Sequence, residues 1–244
     1  MLFGLIMRGV AFEFRFKASS RRHVWDSFFF IGSVVATFCQ GLMLGALIQG
    51  IEASNRLYTG GPFDWFTPFS IICGIAMIIG YALLGSTWLI IKTEHTLQAW
   101  ARKVSGWMLL ALIIAMVVVT GFMYFSDIKA LEGWFSFPGL LYLAPMPIIA
   151  LLLFFLMRKD LKTEREYRPF LLTVALFLMG YIGVCFAVFP YIVPYEMTIY
   201  EAAAADTSLS FMLIGAAIML PIILSYTAFA YYTFKGKTDH EHMY

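Results

Sequence analysis

From Val104 to Ser126 the chain carries no charged side chain, and the same holds for 67–91, 136–157, 169–193 and 208–233. A sixth apolar run, 25–50, holds one charge, Asp26, in its first turn. A helix needs about 20 mostly apolar residues to cross bilayer hydrocarbon, and every run is long enough. No water is available there to the backbone N–H and C=O groups, so only helices or closed barrels can span. Barrel strands alternate lipid-facing and interior residues over about ten positions, and these runs do not alternate. The expected fold class is an all-α membrane protein, a helical bundle of six transmembrane helices plus an N-terminal helix stub. Residues 1–234 form a single transmembrane domain, and 235–244 a cytoplasmic tail. The composition, 61% hydrophobic and 13% charged, excludes a water-facing surface, since soluble domains carry about 25% charged residues.

The distribution of charge gives the orientation. Arg8, Arg15, Lys17, Arg21 and Arg22 precede the first span; Lys92, Arg102 and Lys103 separate the second from the third. Arg158, Lys159, Lys162, Arg165 and Arg168 separate the fourth from the fifth, and Lys235 and Lys237 follow the sixth. Of the 17 Lys and Arg, only Arg56 and Lys129 fall on the opposite side, which instead holds Glu52, Asp64, Asp127, Glu132, Glu196, Glu201 and Asp206. By the positive-inside rule the basic side is cytoplasmic, so the C-terminus is expected there, in a multi-pass membrane protein. By parity the apolar stub 1–7 arrives from outside as the last two turns of a membrane helix. The chain is accordingly expected to be an amino-terminal truncation or a partial gene product beginning at an internal Met. The net charge of +2 argues against nucleic acid as a partner.

Histidine is the usual haem ligand in helix bundles. His23, His95, His240 and His242 all fall in loops or the tail, so no axial ligand, catalytic residue, cofactor-binding residue or metal ligand is expected from this chain. Cys39, Cys73 and Cys185 lie in separate apolar runs without CxxC spacing, which suits packing rather than a disulfide framework or zinc. Two polar features remain. Ser33, Thr37 and Gln40 form a stripe on the first span, suited either to interhelical hydrogen bonding or to a water path. In "RGVAFEFRFK", residues 8–17, aromatic and charged residues alternate. This is either an interfacial loop with aromatics at headgroup level or the seat of an Arg8–Glu13 ion pair. Gly41 and Gly45 make a small-xxx-small step on the first span, a device for close helix approach. On the outer side, Pro190 and Pro194 end the fifth span, and Asp206 or Thr207 is expected to cap the sixth. Pro221 falls inside that last span.

The segments "RGVAFEFRFK", "FDWFTPFSIICG", "GYALLGSTWLIIKTE", "FPYIVP" with "TIYEAA", and "LPIILSYTAFAYYTFKGK" occur in this order. Together they resemble subunit II of the cytochrome bd-type quinol oxidases, nearer the cyanide-insensitive branch, over essentially the whole chain. "PYEMT" at 194–198 departs from the usual family pattern. The resemblance implies a nine-helix subunit of which this chain has the end of the third helix and helices four to nine, lacking the first two. It further implies a complex that oxidises quinol and reduces dioxygen to water while generating a proton gradient. Haems b and d are then expected in the partner, a haem-bearing subunit I. Membrane lipid and a small accessory subunit complete the expected surroundings. The alternative, a six-helix transporter or channel, has only Gln40 and Pro221 in its favour, because such proteins place polar groups and broken helices at the midplane.

Overall fold

The computed structural model describes residues 1–18, 21–54, 57–126 and 145–237. The helices are α1 (Leu2–Lys17), α2 (Arg22–Gln49), α3 (Pro68–Lys92), α4 (His95–Phe125), α5 (Pro145–Lys162), α6 (Tyr167–Val188), α7 (Ile199–Ala202) and α8 (Asp206–Thr233). Two small antiparallel hairpins, β1 (Ala53–Ser54) with β2 (Leu57–Tyr58) and β3 (Tyr191–Val193) with β4 (Met197–Thr198), lie on the acidic side. Among the described residues five helices, α2, α3, α4, α6 and α8, are long and apolar enough to cross a membrane. The expected fourth span, 136–157, is only partly described: residues 136–144 fall outside, and α5 ends in Arg158, Lys159, Asp160 and Lys162.

Where chain and expectation differ, local chemistry supplies the reason. The stub does not stop at residue 7. α1 runs on to Lys17 because its Gly4 and Ala11 pack against α2, and Arg15 and Lys17 in its last turn suit the negative end of the helix dipole. The alternation of Phe12, Phe14 and Phe16 with charges is therefore helical and not a loop. α4 begins at His95, nine residues before the expected third span, so the polar block 95–103 is its first turns. α6 stops at Val188, because the residue before Pro190 is held out of helical backbone. α8 is preceded by Ala205 without a side-chain cap, and Asp206 is its first residue, where a carboxylate also suits the dipole. α8 continues through Pro221, which cannot donate to the Ala217 carbonyl. The Thr67–Ser70 capping box starts α3: Thr67 Oγ1 accepts from Ser70 N at 3.1 Å and Ser70 Oγ accepts from Thr67 N at 2.9 Å.

α3 is the axis of the bundle, packed against α2, α4 and α6. Toward the acidic face, Ile48, Phe69, Cys73 and Met123 form one core cluster. Toward the basic face, Leu83, Leu109, Ala150, Phe154, Met157 and Leu176 form another. Lipid tails are as apolar as leucine, so these helices are held by close packing and not by escape from water. The α2–α3 seam shows how close: a β-carbon on Gly41 would lie 2.5 Å from Gly74 Cα, and one on Gly45 2.6 Å from Ser70 Cα. Gly4 and Gly32 make the same approach between α1 and α2. The expected small-xxx-small step is thus a packing seam. α8 buries none of its residues and meets the bundle near its basic-face end, where Tyr231 lies 5.9 Å from Trp88, ring to ring.

Gly41→Ala should push α2 off α3 at a cost of about 1–3 kcal/mol, lowering the thermal unfolding midpoint of the chain in detergent. Gly121→Ala, whose β-carbon meets nothing within 4 Å, should leave the midpoint unchanged or raise it. Equal loss in the two variants would contradict the seam.

Candidate functional site

His23 is the second residue of α2, and His95 opens α4 with its side chain 88% exposed, 3.8 Å from Glu94. His240 and His242 lie outside the described residues. Among the described residues no group of three or more His, Cys, Asp or Glu is gathered as a metal site. The polar chemistry is concentrated at the α1–α2 turn, on one face of α2, and in the loops of the basic face.

At the α1–α2 turn, Phe14 stacks on Trp25 with centroids 5.1 Å apart, and next to it Arg15 Nε donates to Asp26 Oδ1. The acid that pairs here is Asp26, the one charge of the first span. Arg8 and Glu13 are both exposed and sit five residues apart on α1, about 140° around its axis. The structure does not bring them together, because continuous helix turns them to different faces. Ser33, Thr37 and Gln40 do share a face of α2, all half-buried. Ser33 Oγ donates back to Phe29 O at 2.7 Å, and Gln40 Oε1 is buried with no hydrogen-bond partner among the described residues. The stripe therefore presents an acceptor to any donor that reaches it. At the acidic-face end of the same helix, Gln49 accepts from Thr67 Oγ1, tying α2 to the start of α3.

The largest network draws three distant segments of the basic face together. Lys92 Nζ donates to Phe234 O at 2.8 Å and Gly236 O at 3.0 Å, carbonyls just beyond the end of α8. Gln98 Nε2 reaches Ile90 O, Thr93 O and Glu166 Oε1 at 2.9, 3.1 and 2.9 Å. Lys237 Nζ lies 2.7 Å from Glu166 Oε1 and 3.4 Å from Glu94 Oε1. Arg102 donates to Arg165 O and Glu164 O at 3.0 and 2.8 Å. The hydrogen bond from Lys237, then that from Gln98, holds the Glu166 carboxyl below its ordinary range, and Glu166 in turn holds Lys237 above its own. Beneath this layer Asp160, 3% exposed, faces Arg168 Nε at 3.2 Å and Arg165 Nε at 3.7 Å. Sequence reasoning saw this loop charge only as a topology signal. Asp160 is one of three acids, with Glu164 and Glu166, among the five bases of that loop, so its charge alone did not single it out. For Glu166–Lys237 there was no signal, since the partners are 71 residues apart.

Residues 1–234 match the family described as cytochrome bd terminal oxidase subunit II. The chain belongs to that family. Among curated relatives it is 25% identical to the probable cytochrome oxidase subunit 2 of Haemophilus influenzae, over 98% of this chain and 72% of that protein. It is 24% identical to cytochrome bd ubiquinol oxidase subunit 2 of Bacillus subtilis, over 99% of this chain and 72% of that one. To cytochrome bd-I ubiquinol oxidase subunit 2 of Escherichia coli K12 it is 23% identical, over 99% and 73%. The family implies haem in the complex. His23 and His95, at the mouths of α2 and α4, do not fit an axial ligand, which must reach a macrocycle held between helices.

The basic-face network should hold between the titrations of its two ends. The Glu166 contribution is present above the ordinary carboxylate value of 4.5 and lost as pH falls through its lowered pKa. The Lys237 contribution is present below the ordinary value of 10.5 and lost as pH rises through its raised pKa. Glu166→Gln should release the tail at neutral pH, read as several-fold faster tryptic cleavage after Lys235 in the detergent-solubilised chain. An unchanged cleavage rate would show that the network does not hold the tail.

Proposed function

We propose that this chain is the subunit of a quinol:oxygen oxidoreductase that packs, as a membrane scaffold, against a haem-bearing subunit I. In that complex quinol is oxidised and dioxygen reduced to water, with haems b and d and their axial ligands in the partner. The chain is a multi-pass membrane protein of an oxidase family, and the observation that carries this reading is the match over residues 1–234. The positions of His23 and His95 at helix mouths support placing the haem ligands in another subunit. So do the apolar faces of α8, which give a second membrane subunit broad area to pack on. The location is then the bacterial inner membrane, with the basic face and the C-terminus cytoplasmic, as the distribution of Lys and Arg supports. Nothing in the fold or in the relatives favours the transporter reading.

Reduced-minus-oxidised spectra test the division of labour. The co-purified complex should show haem bands, and the separated chain should retain none in stoichiometric amount. Stoichiometric haem in the separated chain would overturn the assignment of cofactors to the partner.

A further inference from the structure

We propose that the basic-face end of α5 binds one anionic phospholipid. Its phosphate is held by Arg158, Lys159 and Lys162, and its acyl chains lie along Leu151, Leu152 and Phe155. At 100° per residue these six positions fall within an arc of about 120° on the helix, and all six are exposed. Leu151, Leu152 and Phe155 are 49%, 56% and 64% exposed, so this face lies open to lipid. The opposite side of α5 carries the buried Ala150, Phe154 and Met157 together with the helix's one acid, Asp160. That acid is turned inward and neutralised by Arg168 and Arg165. The outward face is therefore apolar, then purely cationic, with no carboxylate to compete for the three charges.

The neighbouring cations are already committed. Arg102, Arg165 and Arg168 are turned onto carbonyl or carboxylate oxygens. Arg158 instead rests over the Phe154 ring at 5.8 Å, and Lys159 and Lys162 make no ion pair among the described residues. Lys159 lies about 6 Å along the axis from Phe155, so the cationic part of the stripe directly adjoins its apolar part. Orientation by the positive-inside rule requires only that cations be present in the loop. It does not require them to continue the lipid-facing stripe, nor the acid to face inward. An anion with two long apolar chains matches both halves of the stripe, whereas an acidic protein or a free phosphate matches only the cationic half.

The test titrates the full chain in detergent with phosphatidylglycerol, using phosphatidylcholine as reference, and counts bound lipid by native mass spectrometry. The wild-type chain should prefer phosphatidylglycerol. That preference should fall by about fivefold for each of Lys159→Gln and Lys162→Gln, the change expected for removing one surface cation. Lys159→Arg with Lys162→Arg keeps the loop charge and should keep the preference, and Lys17→Gln, on a different helix, should not alter it. Three results would each overturn the site: an unchanged preference in the double Gln variant, an equal loss with Lys17→Gln, or displacement of the lipid by millimolar inorganic phosphate.

Discussion

A charged side chain is expensive in hydrocarbon, and the architecture follows from where this chain can put its few charges. Among the described residues they lie toward two faces, and on the basic face they also join segments. Lys92, Gln98, Arg102, Glu166 and Lys237 come from the α3–α4, α5–α6 and post-α8 segments, and bind them into one layer. The exposed pairs in that layer are individually worth little, about 0–1 kcal/mol at a protein surface. Their effect comes from joining segments far apart in sequence, and Lys92 also satisfies two carbonyls just beyond the end of α8.

Within the bilayer a different contact holds the helices. With no hydrophobic drive between them, α2 and α3 approach through Gly41, Gly45 and Gly74 until backbones touch, and α1 meets α2 through Gly4 and Gly32. α3 can serve as the axis because it offers small or hydroxyl residues to its neighbours: Ser70 and Gly74 toward α2, and Ser86, which accepts from Ser105 of α4 at 2.9 Å. Among the described residues α8 has no such seam, and its link to the bundle lies in the region of Trp88, Lys92 and Glu166. A helix attached at one end and apolar all round is suited to packing against another membrane subunit, consistent with membership of a family of oxidase subunits.

Much of this was legible in the sequence, because span length and charge asymmetry follow from the solvent and not from tertiary detail. Uninterrupted apolar runs located α2, α3, α6 and α8 to within a few residues of most ends. What failed was local. The Phe/charge alternation at 8–17 has the period of a strand or loop, yet packing on α2 made it helix. That change also moved the ion pair: Asp26 was conspicuous as the one charge in its span, but its partner is Arg15, while Arg8 and Glu13 turn apart. The stripe of Ser33, Thr37 and Gln40 was readable because a helix repeats its faces every three to four residues. The basic-face layer was not readable, because nothing at Lys92 announces a carbonyl 142 residues away.

The central claim is that all the loops of the basic face lie on one side of the membrane and the hairpins of the acidic face on the other. Single cysteines make this measurable, in a background where Cys39, Cys73 and Cys185 are replaced by Ala. Lys103→Cys, Lys162→Cys, Asp64→Cys and Glu196→Cys would each be labelled with a membrane-impermeant maleimide in inside-out and right-side-out vesicles. The account predicts that the first two react only in inside-out vesicles and the last two only in right-side-out vesicles. Labelling of Lys103→Cys and Glu196→Cys from the same side would contradict it.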